Sequence, residues 1–228
     1  MSLTHLAIIP DGNRRWARSK GLPEFFGHNY AAEKTLPKLL EKVRALNIKY
    51  FTFWAMSSEN LVKRSPDELK NLFKLLEKML DLKKQDFIKH RTHFNVIGNI
   101  TQLPDRIQEK IDELKKATKD FSDYYFTLAI NYGGRDEIVR AVNKFLQETQ
   151  GKQLITKEIL SQHLDTAGMP DPDLIIRTGK EKRVSGFMLW QSEYSEYYFS
   201  NKFFPDFNEQ DLTDAVVDFN NRQRRLGR

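Results

Sequence analysis

The sequence predicts an α/β fold, a single domain built on one mainly parallel β-sheet flanked by helices. Three observations point to it. Short apolar runs that read as strands alternate with longer stretches of helical periodicity. No linker, internal repeat or shift in composition divides the chain. Its 228 residues, 39% hydrophobic and 30% charged, suffice for one substantial core. One domain spanning residues 1–228 is the expectation.

The first element is the apolar run 6–9, stopped by Pro10 and followed by Asp11-Gly12-Asn13-Arg14-Arg15-Trp16. A run closed by Pro-Asp-Gly reads as a buried strand entering a tight turn. The segment 14–20 can start a helix, which would put the turn's backbone N–H groups at a helix N-terminus, where anions bind. Asp11 adds a carboxylate able to hold Mg²⁺, and Arg15 a fork of donors matched to phosphate oxygens. Asp11 could equally cap the helix, and the two roles are compatible.

Further strands are expected at 50–56, 94–97, 125–131 and 174–177. Four apolar stripes mark helices between and beyond them. Leu36, Leu39, Leu40, Val43 and Leu46 form the first, and Leu69, Leu72, Phe73, Leu76, Met79 and Leu80 the second. Ile107, Ile111 and Leu114 form a third; Ile138, Val139, Val142, Phe145 and Leu146 form a fourth. Ligands of such sheets collect beyond the C-terminal strand ends. Polar groups follow four of them: Asp11, then Ser57-Ser58-Glu59-Asn60, then Asn131-Tyr132-Gly133-Gly134-Arg135, then Arg177-Thr178-Gly179. Four such ends facing one crevice would make a composite site.

The net charge of +6 suits anionic partners. Much of it is local, because Arg222, Arg224, Arg225 and Arg228 crowd the C-terminus, where cations also complement a helix dipole. The absence of cysteine excludes disulfides and thiolate-bound zinc. No segment reaches the ~18 apolar residues of a membrane span, and residues 1–5 carry no signal-peptide pattern. A cytoplasmic location is expected.

Taken together, seven blocks resemble the cis-prenyltransferases, typified by undecaprenyl diphosphate synthase. They are Asp11 to Ala17, Gly27-His28, Ser57 to Asn60, Asn131 to Arg135 and Pro172 to Thr178. The last two are Glu181 to Ser185 with Phe187, Leu189-Trp190-Gln191 and Glu196, and Arg225-Leu226-Gly227. Each alone is weak; in this order and spacing, from His5 to Gly227, they are specific. The resemblance implies elongation of an allylic diphosphate, farnesyl as the usual primer, by isopentenyl diphosphate with cis geometry and Mg²⁺. Diphosphate leaves at each addition.

It also assigns roles. Asp11 would hold Mg²⁺ and trigger diphosphate release. The amides of Gly12, Asn13, Arg14 and Arg15, with the Arg15 side chain, would cradle the allylic diphosphate; His28 would lie near the phosphates, and Trp16, Ser57, Ser58, Glu59 and Asn60 would help bind substrate. Asn13 stands where the family places a residue implicated in removing the proton; an amide is a poor base, so relay or positioning is chemically easier. Either Lys63 or Arg64 supplies a further phosphate contact. Isopentenyl diphosphate would meet Arg177, Arg183 and Ser185, although a surface network of these arginines with Glu181 and Glu193 is the simpler alternative. Glu196 matches a glutamate contributed to the metal across a dimer, and Arg225 and Gly227 a tail that reaches a partner subunit's phosphates. Ala55, Leu72, Leu76, Met79, Leu80, Leu128 and Ile130 are candidates for an apolar tunnel, although for any one of them plain core is the better default. A homodimer, a product of medium length and contact with the inner face of a membrane complete the expectation, with a short-chain or specialised synthase as the alternative.

Arg14 and Glu24 depart from the bacterial pattern, which has glycine and arginine there, and a carboxylate near a diphosphate is repulsive. Rival readings fare worse. The chain has no Asp-Asp pair of the trans-prenyl type. Gly179-Lys180 is followed by Glu181 rather than Ser or Thr, which excludes a P-loop, and Gly133-Gly134 is not a dinucleotide fingerprint. An inactive partner subunit would lack Asp11, Arg15, Arg177 and Arg183, all present here, and nucleic acid is not an expected partner.

Overall fold

The computed structural model describes residues 3–222. Strand β1 (His5–Ile9) leads into α1 (Asn13–Ser19) and α2 (Glu24–Tyr30), and a π-helical turn, Ala31–Thr35, joins α2 to α3 (Leu36–Ala45). Next come β2 (Tyr50–Ser57), α4 (Ser58–Lys63), the long α5 (Pro66–Lys89), β3 (Thr92–Ile97) and α6 (Asp105–Thr118). The second half holds β4 (Tyr124–Tyr132), α7 (Gly134–Thr149), α8 (Lys157–His163), β5 (Leu174–Arg177), β6 (Glu196–Phe199) and α9 (Glu209–Asn221). All six strands are parallel, in the order β3-β4-β2-β1-β5-β6.

Both faces of the central strands are covered, so β1 and β5 are buried along their whole length and read as continuous apolar runs. On one face the main core gathers Leu6, Ile8, Phe51, Phe53, Phe94 and Phe126 against Leu39, Phe87, Ile107, Ile111, Leu212 and Phe219 of the helices. On the other, Ile9, Trp54, Ala129 and Ile175 meet Phe187 and Met188, with the Trp54 and Phe187 rings stacked at 4.8 Å. Helix α5 opens with a capping box, Ser65 with Glu68, and Pro66 at its first position.

The five expected strands are present within one or two residues at each end, and the parallel sheet is as predicted. The sixth, β6, was not expected. Its four residues are all half-buried, so they carry neither alternation nor a fully apolar run. The stripe on α7 is narrower than its sequence suggests, because Val139 and Leu146 are exposed. The sheet is irregular at two points. In the β2–β4 pairing Ala55 is skipped between Trp54 and Met56, and Asn131 is skipped on the opposite strand. Asn131 takes up a left-handed backbone, φ 47°. A bulge of this kind re-aims side chains, and here it exposes Ala55 beside the cleft.

Candidate active site

A cleft of 660 Å³ opens beyond the C-terminal ends of β1, β2 and β5. Its polar end carries Asp11, Gly12, Asn13, Arg14, Arg15, Arg18, His28, Ser57, Asn60, Arg64, Arg177 and Ser185. Among the described residues that line the cleft, five are arginines and one, Asp11, is acidic.

Local chain chemistry fixes these positions. Gly12 caps α1 with a left-handed backbone, φ 98°, and a Cβ there would strike Phe203 at 2.5 Å, so the turn requires glycine. Asp11 does not cap the helix. Its Oδ1 accepts from the Gly12 amide at 2.6 Å and from Arg15 Nη2 at 3.1 Å, and its Oδ2 accepts from Arg177 Nη2 at 2.8 Å. The Thr178 hydroxyl donates to the Asp11 carbonyl at 2.8 Å, tying the two strand ends together. Arg177 is only 5% exposed; its Nη1 donates to Ser185 Oγ at 2.8 Å and to the Arg183 carbonyl. Arg15 Nη1 donates to Glu181 Oε1 at 3.2 Å.

Four buried polar atoms at this end lack a hydrogen-bond partner among the described residues: Asn13 Oδ1, His28 Nε2, Arg64 Nε and Arg177 Nε. Buried polar groups are rarely left unpaired without reason, and two of these are guanidinium donors. An anionic ligand would satisfy the two guanidinium donors. Burial, reinforced by repulsion from Arg64 and Arg14, lowers the His28 pKa to about 4, so the ring is neutral near pH 7. Burial likewise lowers His5, whose Nε2 meets Thr52 Oγ1, to about 4. In the unfolded chain both histidines take up protons below pH 6.5, which the folded chain refuses until about pH 4. Stability is therefore expected to fall as pH drops through that window. Denaturant midpoints measured from pH 7 to 4 should show this, with a smaller slope in His28→Asn.

The opposite end of the cleft is apolar. Ala31, Ala32 and Leu36 form one side, Leu72, Phe73, Leu75, Leu76 and Met79 of α5 another. Phe53, Ala55, Leu128 and Ile130 supply the sheet floor. Most tunnel candidates are therefore here, except Leu80, which is buried in the core.

Other expected residues lie elsewhere. Trp16 is buried away from the cleft, where it packs on Tyr30 and donates its Nε1 to Asp206 Oδ1 at 2.7 Å. Trp16→Phe should leave turnover nearly intact and cost about 1–3 kcal/mol, read by chemical denaturation. His28 lies in the last turn of α2, which starts at Glu24. Ser58 and Glu59 sit on α4 outside the cleft lining, and Ser57 caps that helix by accepting from the Asn60 amide at 3.2 Å. Of the two phosphate candidates, Arg64 lines the cleft and Lys63 does not. The Arg183 side chain is 60% exposed and paired with Glu181, as the surface-network alternative has it; only its carbonyl joins the cluster. Residues 131–135 buttress the site, with the Asn131 amide donating to the Asn99 carbonyl and Gln102.

Glu196 pairs with Arg222 at 2.7 Å and is level with Leu174 and Leu6, at the opposite end of the sheet from Asp11. Within one chain it does not join Asp11. Arg225 and Gly227 lie outside the described residues. Sequence reasoning missed Arg18, Phe53, Phe73 and the π-turn alanines. The missed alanines and phenylalanines carry no signal apart from ordinary core, whereas Arg18, one helical turn after Arg14, could have been found by spacing.

The requirement for Mg²⁺ can be weighed on the donor set. Mg²⁺ commonly takes one or two carboxylates and completes its shell with water and substrate phosphate. Asp11 at the mouth of a phosphate-sized basic cluster fits that pattern. Among the described residues no group of three histidine or acidic side chains forms a closed metal cage.

The cleft thus joins a polar end rich in arginine to an apolar arm, at the C-terminal edge of a parallel sheet. A family model described as "Putative undecaprenyl diphosphate synthase" matches residues 9–227. An isoprenyl transferase of Fusobacterium nucleatum is 42% identical, over 98% of this chain and 95% of its own length. The tritrans,polycis-undecaprenyl-diphosphate synthase (geranylgeranyl-diphosphate specific) of Thermoplasma volcanium is 41% identical, over 98% and 88%. Lavandulyl diphosphate synthase of Lavandula x intermedia, solved with dimethylallyl diphosphate, superposes with a TM-score of 0.94 at 34% identity, covering 100% of this chain and 99% of that one. A "probable undecaprenyl diphosphate synthase" of Campylobacter jejuni gives 0.83 at 35% identity, with both chains fully covered. The chain belongs to the cis-prenyltransferases. Among the described residues no helix is long and apolar enough to cross a membrane.

Proposed function

We propose that this chain condenses isopentenyl diphosphate with an allylic primer, farnesyl diphosphate, to give a cis-polyprenyl diphosphate of medium length, with Mg²⁺. The observation that carries the reading is the polarity of the cleft, five arginines at one end and a wall of aliphatic side chains at the other. An allylic diphosphate matches both ends at once. Its head would meet Arg14, Arg15 and the amides of the Gly12–Arg15 turn, and its tail would lie along Leu72, Leu76 and Met79.

The second diphosphate would meet Arg177 and Ser185, which already bond each other. During condensation the allylic C1–O bond breaks, a bond forms from isopentenyl C4 to that C1, and a proton leaves isopentenyl C2. The negative charge appearing on the departing diphosphate falls where guanidinium groups are held in advance. Asp11 would hold Mg²⁺, which when bound offsets charge on the leaving group. Asn13, whose Nδ2 donates to the Pro10 carbonyl, is fixed so that its buried Oδ1 can orient or relay the departing proton.

The roles proposed for Glu196, Arg225 and Gly227 need a second copy, and a homodimer in sedimentation is expected. Peripheral membrane contact follows from the lipid product and is tested by vesicle flotation. A second reading, a short-chain or specialised product, draws on the higher TM-score of the lavender enzyme. One experiment separates them. Pure protein is incubated with Mg²⁺, isopentenyl diphosphate and dimethylallyl, geranyl, farnesyl or geranylgeranyl diphosphate, and products are read by chromatography and NMR. Medium-length cis products grown best from farnesyl support the main reading; C10 products or a different preferred primer replace it, and no growth with any primer sinks both. Leu76→Trp fills the apolar arm and should shorten the dominant product by at least one isoprene unit.

A further inference from the structure

Arg14 and Glu24 are bonded to each other: Arg14 Nε donates to Glu24 Oε2. Arg18 Nε lies 3.6 Å from the other oxygen, Glu24 Oε1. One carboxylate thus engages two of the five arginines of the cleft. Arg14 Nη2 also lies 3.6 Å from Glu68 Oε1, and Glu68 is itself fixed by the capping box that starts α5. Glu24 does not line the main cleft. It lines an adjoining recess of 190 Å³ that shares Arg14, His28, Arg64, Leu72 and Leu75 with it. The carboxylate therefore meets Arg14 from this recess, whereas Asp11 lines the main cleft.

We propose that Glu24 sets the strength with which this cleft holds a diphosphate, by competing with the ligand for Arg14 and Arg18. The proposal rests on the reading of the cleft as a diphosphate site. Glu24 is the first residue of α2, where the helix dipole favours an anion, and the Arg14 hydrogen bond holds its carboxyl below the usual range. It therefore stays ionised. A diphosphate that recruits Arg14 must either draw it from Glu24 or accept a donor already half neutralised. Arg15 and Arg177 bond a different carboxylate, that of Asp11.

Both arginines are exposed enough for water and salt to weaken the pair, so the effect is a tuning rather than a gate. Its sign is definite: removing the carboxylate strengthens diphosphate binding. The test is calorimetric titration of the full chain with inorganic diphosphate at low ionic strength, without turnover. Glu24→Gln keeps the shape and a hydrogen-bond acceptor and is expected to lower Kd roughly threefold. The gain should shrink at high salt and vanish in a background carrying Arg14→Gln and Arg18→Gln. An unchanged or higher Kd in Glu24→Gln, or a gain that survives loss of both arginines, overturns the role of Glu24 alone. A wild-type chain that binds no diphosphate overturns the reading of the cleft, and this proposal with it.

Discussion

Asp11→Ala is expected to lower turnover by about a hundredfold to a thousandfold while diphosphate binding in the absence of metal persists or tightens. The two halves of this result come from one geometry. Among the described residues Asp11 is the only acid lining the cleft, and its oxygens bond Arg15 and Arg177. Without it the proposed metal has no protein carboxylate, and the charge on the leaving group goes uncompensated. The arginines, however, lose a competitor and become freer to take phosphate. Isopentenyl incorporation and calorimetry with inorganic diphosphate measure the two quantities separately. Turnover within tenfold of wild type would remove Asp11 from the chemistry. Loss of binding together with turnover would instead mark it as a scaffold for Arg177, whose burial makes an unpaired charge costly.

Gly27→Ala should have the largest effect on the fold near the site. A Cβ at Gly27 would stand 2.0 Å from the Asn13 carbonyl oxygen and 2.6 Å from its carbon. Both are backbone atoms, so no side-chain rotation relieves the clash and α1 must move off α2. Overpacking of this kind costs about 3 kcal/mol or more, which for a chain of this size lowers the melting temperature by roughly 5–10 °C. The same displacement carries Asn13, Arg14 and Arg15 away from Asp11, so turnover measured well below the melting temperature should also fall more than tenfold. A variant with wild-type melting and turnover would show that the two helices have slack at their crossing.

The sheet was legible because its strands are either buried on both faces, as at β1 and β5, or long and rich in β-branched and aromatic residues, as at β2 and β4. Strand β6 was not, because at the edge of a sheet a strand of half-buried tyrosines needs no pattern that distinguishes it from a loop. In the site, the residues that must carry charge were legible: Asp11, Arg14, Arg15, Arg64 and Arg177 all reach one cleft. What sequence could not give was direction. Trp16 sits in the same motif as Asp11, yet three helical residues separate the capping glycine from it and turn its ring toward Asp206. Arg183 and Ser185 are two residues apart, and only Ser185 has its side chain in the cluster, through a left-handed backbone at φ 51°. The pairing of Glu24 with Arg14 was hidden for the same reason. Two departures ten residues apart gave no hint that they meet, because the turn between α1 and α2 decides it.

The strand order has a consequence for the way the chain folds. Strand β1 precedes the other described strands in the chain, yet it lies inside the sheet, with β2 on one edge and β5 on the other. Its second edge pairs Leu6 with Leu174 and Ile9 with Arg177, so it stays open until those residues, far later in the sequence, are in place. Contacts so distant in sequence carry a large loop-closure entropy and form late. The step that docks β5 also delivers Arg177 to Asp11 and Thr178 to the Asp11 carbonyl. A partly folded chain therefore holds the turn of Asp11 to Arg15 without its buried arginine, and the Arg177–Asp11 contact arrives only when β5 docks.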